Sequence, residues 1–297
     1  MHIEIESINQ VHESLELDKP QNPLITVIDM KDYKVKKEWI NQKYVNTLYS
    51  ISMKDGSCGL EYGRNTYDFA DGVMSFMAPG QVFSFSNKDN ATGWMLLFHP
   101  ELIRNTLLGD KIHQYNFFSY DVHEALHLSA DEQKTVTDCM RIVENEAVSR
   151  IDKHSNSVIV SGLEFLLNFC NRFYERQFNT RSSENRDVLT KVEGLLKTYY
   201  HMDILSKSGL PTVAFLAEKI NLSPGYLSDL LKSETGKTAK EHIDFYLINK
   251  AKFKLLNSAS SISEIAYDLG FEYPQHFSKL FKNKTGYSPK EFRTNLN

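Results

Sequence analysis

Between Pro23 and about Phe118 the apolar positions come in short runs rich in aromatic and β-branched residues, such as Val73–Ala78, Val82–Phe85 and Trp94–Phe98. Turn signals separate them: Lys54-Asp55-Gly56, Asp71-Gly72, Pro79-Gly80 and Asn87-Lys88-Asp89-Asn90. Short strands at this spacing predict an all-β barrel or sandwich. At Ser129 the period changes. Ser129 is placed to cap a helix whose first turn carries Asp131 and Glu132, both favourable at its positive end. Val136, Met140, Val143 and Ala147 then fall on one face. A second helix follows, with Leu163, Leu166, Leu167, Cys170, Phe173 and Tyr174 forming a wide apolar stripe. Asn179–Asp187 (NTRSSENRD) is polar and aperiodic and predicts a linker. Beyond it the pattern is helical throughout. The expectation is an α+β multidomain chain: a β-barrel over 1–128, a helical pair over 129–178, a linker over 179–187 and an all-α domain over 188–297.

Within that last domain the sequence repeats with an offset of fifty. Pro224, Ser228, Leu230, Lys232, Thr235, Gly236, Lys240 and Glu241 recur as Pro274, Ser278, Leu280, Lys282, Thr285, Gly286, Lys290 and Glu291. Upstream, Val213, Leu216, Ala217 and Ile220 share their spacing with Ile262, Ile265, Ala266 and Leu269. Two copies are too few for a solenoid, so this is a tandem duplication. Each copy has the parts of a helix-turn-helix. A short helix places Ala where a second helix must approach closely. A brief turn leads to Pro224 or Pro274, tolerated in a helix's first turn because the missing N–H would be unpaired there anyway. The second helix turns Leu227, Leu230 and Leu231, or Phe277, Leu280 and Phe281, inward. Gly236 and Gly286 end it where a left-handed cap belongs. The outward face at the helix start is left to meet base edges. Helical hairpins that pack only on each other or on a partner protein are the competing reading.

The motif Ser223-Pro224-x-Tyr226-Leu227-Ser228-x-Leu230-Leu231-Lys232-x-x-x-Gly236 is followed by Ile262-Ser263-Glu264-Ile265-Ala266-Tyr267-Asp268-Leu269-Gly270-Phe271. Phe277–Lys282 and Gly286–Arg293 complete the set. Over about residues 188–297 this resembles the DNA-binding domain of AraC/XylS-type transcription regulators. The resemblance implies a long helix, about Ala239–Leu256, joining the two units. It also implies that both recognition helices enter the major groove of double-stranded DNA on one face, about one turn apart. The family's base-reading positions match Gly225, Ser228 and Asp229 in the first helix and Gln275, Ser278 and Lys279 in the second. Gln275 suits a bidentate contact to adenine, and Lys279 suits guanine O6/N7. Asp229 stands where the family often has arginine; it either accepts from a cytosine amino group or pairs with a lysine and reads nothing. The second helix is therefore expected to be the stronger reader. Leu247 likewise occupies a frequent arginine position of the joining helix. Lys232, Lys237, Lys240, Lys282, Lys284 and Lys290 are candidate phosphate contacts, about half of which are expected to face the DNA. His276 is either a DNA contact or simply exposed.

For the N-terminal region the resemblance implies a cupin-like barrel that senses a small-molecule effector and supports a homodimer; RNA polymerase is a further expected partner. Phe76, Phe83, Phe85, Trp94 and Phe98 either line a ligand cavity or fill the barrel core. The Leu163–Tyr174 stripe is either a dimer seam or packs on the barrel. The alternatives are a constitutive regulator whose barrel is only a dimerisation scaffold, and a cupin-like enzyme with an appended helical domain.

Composition adjusts this picture at few points. The net charge of −4 looks wrong for a nucleic-acid binder until it is divided. From Asp187 onward fifteen basic residues face twelve acidic ones, while the preceding part is acidic; the asymmetry points weakly to a polyanion partner for the tail. Cys58, Cys139 and Cys170 lie far apart with no CxxC pair, so they predict reduced thiols in a cytoplasmic protein, not a zinc site. No run approaches the roughly 20 apolar residues of a membrane span, and no membrane partner is expected. The barrel region lacks His-x-His; His99 and His113 are isolated, and His123 and His127 have no third ligand in view. Ser-His-Asp ordering, a Gly-rich phosphate loop and HExxH are absent too. The expectation is no enzyme, no catalytic residue, no metal and no cofactor.

Overall fold

The computed structural model describes residues 3–36, 39–40, 42–55, 60–62, 65–67, 72–84, 92–180, 182–201, 205 and 209–295. The chain divides into two compact units, Met1–Gln177 and Phe178–Asn297. None of the described helices is long and apolar enough to cross a membrane.

In the N-terminal unit the strands are β1 (Ile3–Ile5), β2 (Ile25–Asp29), β3 (Tyr44–Asn46), β4 (Tyr49–Asp55), β5 (Leu60–Tyr62), β6 (Asn65–Tyr67), β7 (Val73–Met77), β8 (Val82–Phe83), β9 (Thr92–Phe98) and β10 (Leu126–His127). Five form an antiparallel sheet in the order β10-β7-β4-β9-β2, three form a second sheet in the order β1-β3-β8, and β5 pairs with β6. The expected closed barrel is thus corrected: among the described residues the sheets are open, with β2 and β10 as the edges of the larger one. The physical reason lies at a corner. Asn46 Oδ1 accepts from Leu48 N at 3.0 Å while its Nδ2 donates to Leu48 O at 2.7 Å, closing a tight bend. The chain therefore leaves one sheet at β3 and enters the other at β4.

Cross-strand register sorts the two faces of the larger sheet, since neighbours opposite one another share a face. One face carries Ile51, Leu96, Phe76, Phe98 and Met53. Beyond the short α2 (Leu107–Lys111) in the chain, it is covered by α3 (Ala130–Ala147) and α4 (Ser155–Thr180): Cys170 Sγ lies 3.9 Å from Met74 Sδ, and the Phe76 and Tyr174 ring centroids are 6.0 Å apart. The stripe Leu163, Leu166, Leu167, Cys170, Phe173 and Tyr174 is buried here, which settles its role as packing within one chain. Gly162 permits the close approach of α4 to α3, because a Cβ there would sit 3.0 Å from Val143 Cγ2. The opposite face contributes Ile28 and Leu97 to a cluster with Ile5, Ile8, Val11, Leu15, Tyr44 and Leu48, built by β1, β3 and α1 (Ile8–Ser14).

Ser129 caps α3 as expected, with Glu132 completing the reciprocal box. Glu132 also receives Arg176 at 3.0 and 2.6 Å, and Arg176 donates to His127 O at 2.7 Å. Buried Gln177 adds bonds to His127 N and Ala125 O. These polar groups of α4 tie down the connector before α3.

The expected linker over 179–187 is also corrected. α4 continues to Thr180 and α5 spans Ser182–His201, residue 181 lying outside the described residues. The polar residues that looked like a coil bond within the C-terminal unit. Asn185 Nδ2 donates to Phe178 O at 2.7 Å and Glu234 Oε1 at 3.1 Å, and Asn179 Oδ1 accepts from Ser233 Oγ at 3.2 Å.

Candidate nucleic-acid interface

The C-terminal unit continues with α6 (Val213–Ile220), α7 (Pro224–Thr235), α8 (Ala239–Asn257), α9 (Ile262–Asp268), α10 (Pro274–Thr285) and α11 (Pro289–Asn295). α6 and α7 form the first helix pair, α9 and α10 the second, and α8 connects them. Thr212 caps α6, which ends on Asn221 in the left-handed conformation (φ 57°). Ser223 Oγ then accepts from Tyr226 N at 3.2 Å and starts α7. Gly236 (φ 73°) and Gly286 (φ 83°) terminate α7 and α10, as their positions after the helices predicted. Leu227, Leu230 and Leu231 are buried on one side of α7, and Phe277 and Phe281 on that of α10; Leu280 is half-buried.

Most residues repeated between the copies have structural duties. Thr235 and Thr285 each donate to a carbonyl one turn back, Leu231 O and Phe281 O, both at 2.7 Å. Glu241 and Glu291 each accept a backbone N–H across a helix start, from Thr238 and Ser288. Those bonds hold both carboxyls below the usual glutamate range. The repeat therefore carries fold-specifying positions, while the exposed faces of the two copies differ at several of the candidate reading positions.

Those positions are unequal. In α10, Gln275, His276 and Lys279 are exposed, and Ser278 is half-buried with its hydroxyl on Pro274 O at 3.1 Å. In α7, Gly225, Ser228 and Asp229 are all half-buried. Tyr273, which the sequence reading did not single out, stands at the start of α10 without a side-chain cap bond; it is 47% exposed and sits edge-on to His276. Its counterpart Ser223 is buried. The signal was available as the Ser-to-Tyr difference between the copies.

The lysines divide as well. Lys232, Lys237, Lys282 and Lys290 are exposed, with Lys237 Nζ 5.0 Å from the Phe245 ring centroid. Lys240 and Lys284 are exposed as well, with side chains 59% and 38% accessible, and both also flank buried Asp244. Leu247 is fully buried in α8, where a cation would have no water.

Within the C-terminal unit, buried His242 of α8 meets the last turn of α7. The Thr235 hydroxyl has a single proton, and its shortest bond is to Leu231 O, so His242 Nε2, 2.8 Å away, donates to Thr235 Oγ1. Burial holds His242 below the ordinary imidazole value of 6.5, outweighing Glu193 and Glu241, which raise it; Lys237 lowers it further. A depressed histidine means that the unfolded chain binds the proton more readily, so stability is present above about 6.5 and is lost as pH falls through the folded value. Melting temperatures between pH 7.5 and 5.5 should therefore fall in the wild type and flatten in His242→Gln, which retains an N–H donor. An unchanged slope in the variant would assign the pH response elsewhere.

The described aromatic positions of the N-terminal unit pack mainly against other rings and side chains. Phe76 and Phe98 are core residues, the first against Phe117 (4.4 Å) and the second stacked on Tyr49 (4.9 Å). Half-buried Trp94 lies beneath the Arg141 guanidinium, Phe83 faces Tyr44 across the smaller sheet, and Phe85 is outside the described residues. The sheet face opposite Phe76 carries Ser50, Ser52, Ser75, Met77 and Met95 in register, mostly half-buried. Asp121, His123 and Glu124 bring ligand-type atoms within 4.8 Å of one another. Glu124 there accepts from Asp121 N at 2.7 Å, so the grouping is accounted for by its own turn.

A helix-turn-helix domain model matches residues 216–295. The Msm operon regulatory protein of Streptococcus mutans is 24% identical over 249 residues, covering 82% of this chain and 82% of that protein. The transcriptional activator RhaS of Escherichia coli O139:H28 is 36% identical over 78 residues, 26% of this chain and 28% of RhaS. Among solved structures, a transcriptional regulator from Chromobacterium violaceum with an AraC-type DNA-binding domain is 21% identical, covering 38% of this chain and 94% of that one, with a TM-score of 0.33.

Proposed function

We propose that the chain is a transcription regulator of the AraC/XylS type, with a helix-turn-helix domain over 216–295 and a regulatory relative aligned over most of its length, and that its units divide the labour. The C-terminal unit binds DNA; in our reading α10 supplies most of the sequence discrimination and α7 mainly docks. The observation that carries this is the contrast between exposed Gln275 and Lys279 on α10 and half-buried Gly225, Ser228 and Asp229 on α7. Lys232, Lys237, Lys282 and Lys290 would meet phosphates and set register. Selection of binding sites from a random duplex pool tests the contrast. Two segments about 10 bp apart are expected, with markedly more base preference in one. Equal preference in both segments would refute the asymmetry.

The N-terminal unit, in this reading, is a cupin-like sensor. Its ligand wall is the Ser50, Ser52, Ser75 and Met77 part of that face, since Met95 packs on the core cluster and the aromatic residues of the other face meet α3 and α4. Hydroxyls beside a thioether suit a small neutral molecule with both polar and apolar edges. A metabolite screen by thermal shift is the test: the stabilising compound should lose its effect in Ser75→Leu. Absence of any shift across the screen would favour the scaffold alternative, and stoichiometric iron or manganese in the purified protein would favour the enzyme. We assign no catalytic step and place the protein with the chromosome in the cytoplasm, where RNA polymerase is its expected partner.

A homodimer would use the outer side of α4, where Val158 is 46% and Phe165 55% exposed although the inner side is saturated. Phe165→Glu is expected to shift the sedimentation coefficient of the full chain from dimer to monomer. A dimer that persists in the variant would move the seam elsewhere.

A further inference from the structure

Asp244 lies near the start of α8, is 5% exposed, and carries two ammonium groups. Lys240 Nζ, one turn back on the same helix, is 3.0 Å from Oδ1, and Lys284 Nζ, in the last turn of α10, is 3.1 Å from Oδ2. Oδ1 meets Lys240 without hydrogen-bond alignment, so the attraction there is that of charge. A carboxylate this buried is unfavourable unless compensated, which makes the lysine on α10 more than a surface decoration. The copies differ at this point: the position fifty residues before Lys284 is Glu234, which accepts from Asn185, and the one fifty after Asp244 is Thr294. Only the second recognition helix can be held by this charge.

The second helix pair has other ties to α8, and they cluster at the far end. Lys254 Nζ meets Asp268 Oδ2 of α9 at 2.7 Å, and Arg293 Nε of α11, whose Phe292 packs on Phe281 of α10, donates to Leu255 O at 3.1 Å. Asp244 and Lys254 are ten residues apart on one helix, about 15 Å along its axis at 1.5 Å per residue. Ties at one end alone would leave the pair able to rock about that end. A second tie at Asp244 fixes its angle.

We propose that Asp244 is a positioning residue for DNA recognition: by holding Lys284 it fixes how α8 carries the second recognition helix, and so the base-pair spacing the two units accept. The proposal rests on the reading that both recognition helices meet one DNA duplex. It gives Lys240 and Lys284 an internal duty beside the phosphate contacts expected from sequence.

The test uses the full chain and its own selected duplex, with one base pair inserted or deleted between the two recognised segments. Wild type is expected to lose about tenfold or more in affinity on either change, equivalent to about 1.4 kcal/mol. Asp244→Asn and Lys284→Met should each reduce that discrimination to about threefold or less. These variants change the protein's charge in opposite directions, so a general electrostatic effect would move their overall DNA affinity oppositely; a lost clamp moves spacing discrimination the same way in both. Should Asp244→Asn fail to fold by circular dichroism, Lys284→Met decides, because Lys240 still neutralises the carboxylate. Wild-type discrimination retained in a folded variant overturns the clamp, as does a wild type indifferent to spacing. A wild type that selects no duplex overturns the DNA-binding reading on which the clamp depends, and the clamp with it.

Discussion

Phe277→Ala is expected to destabilise the C-terminal unit by about 3–5 kcal/mol, the usual cost of truncating a fully buried phenylalanine. Phe277 is entirely enclosed, with ring centroids 5.5 Å from Phe271 and 5.7 Å from Phe281, and Phe281 in turn meets Phe292 at 5.3 Å. The truncation leaves a cavity beneath the helix that carries Gln275 and Lys279, so the reading face loses its support together with its stability. A matched control is Phe253→Ala: that ring is 67% exposed on α8, and its removal should change stability by about 0.5 kcal/mol or less. Thermal and denaturant melts of both variants decide. Comparable losses in the two would mean that the exposed ring is covered by something in solution. A loss below about 1 kcal/mol at Phe277 would mean that the second pair is not packed as described.

What could be read from the chain, and what could not, follows from where the determining interactions lie. The helix pairs were legible because their specification is local: Pro in the first turn, Gly after the last, and apolar positions three and four apart; the connecting helix was expected from the family resemblance. The helix over Ala239–Asn257 came out within one residue of its expected end. Asn179–Asp187 was misread for the complementary reason. Its polar side chains find partners such as Phe178 O and Glu234, and a periodicity test on a single segment does not register them. The strands were legible as strands, but their closure was not, because the decision to change sheets is made by one side chain, Asn46, bonding both ways to Leu48.

The site shows the same division. Which face of α10 looks outward followed from helical geometry, and Gln275 and Lys279 are exposed there. Which lysines also pair within the protein did not follow, since Lys284 meets a carboxylate forty residues earlier in the chain. The aromatic run of the N-terminal unit was ambiguous between cavity and core. Register resolved Phe76 and Phe98 by placing them on the face that α4 covers.

Lys279→Ala and Lys282→Ala are then expected to fail in different ways on DNA, although they remove the same charge from the same helix. Lys279 stands in the first half of α10, one turn on from Gln275, on the face proposed to meet base edges; Lys282 is in its last turn. A lysine donating to guanine contributes about 1–3 kcal/mol of discrimination against the wrong base. Its loss should therefore relax preference at a single position by roughly ten- to a hundredfold, while scrambled duplexes are bound almost as before. A lysine on phosphate carries no sequence information. Removing Lys282 should weaken selected and scrambled duplexes alike and make the slope of log affinity against log salt shallower by about 0.9, one released counterion. Titrations of both variants on both duplexes over a range of salt separate the roles. Uniform weakening by Lys279→Ala would make it a phosphate contact and leave Gln275 as the principal reader on α10. A base-specific loss at Lys282 would instead mean that the helix lies along the groove for its full length, so the depth at which α10 enters the DNA is what this pair of substitutions measures.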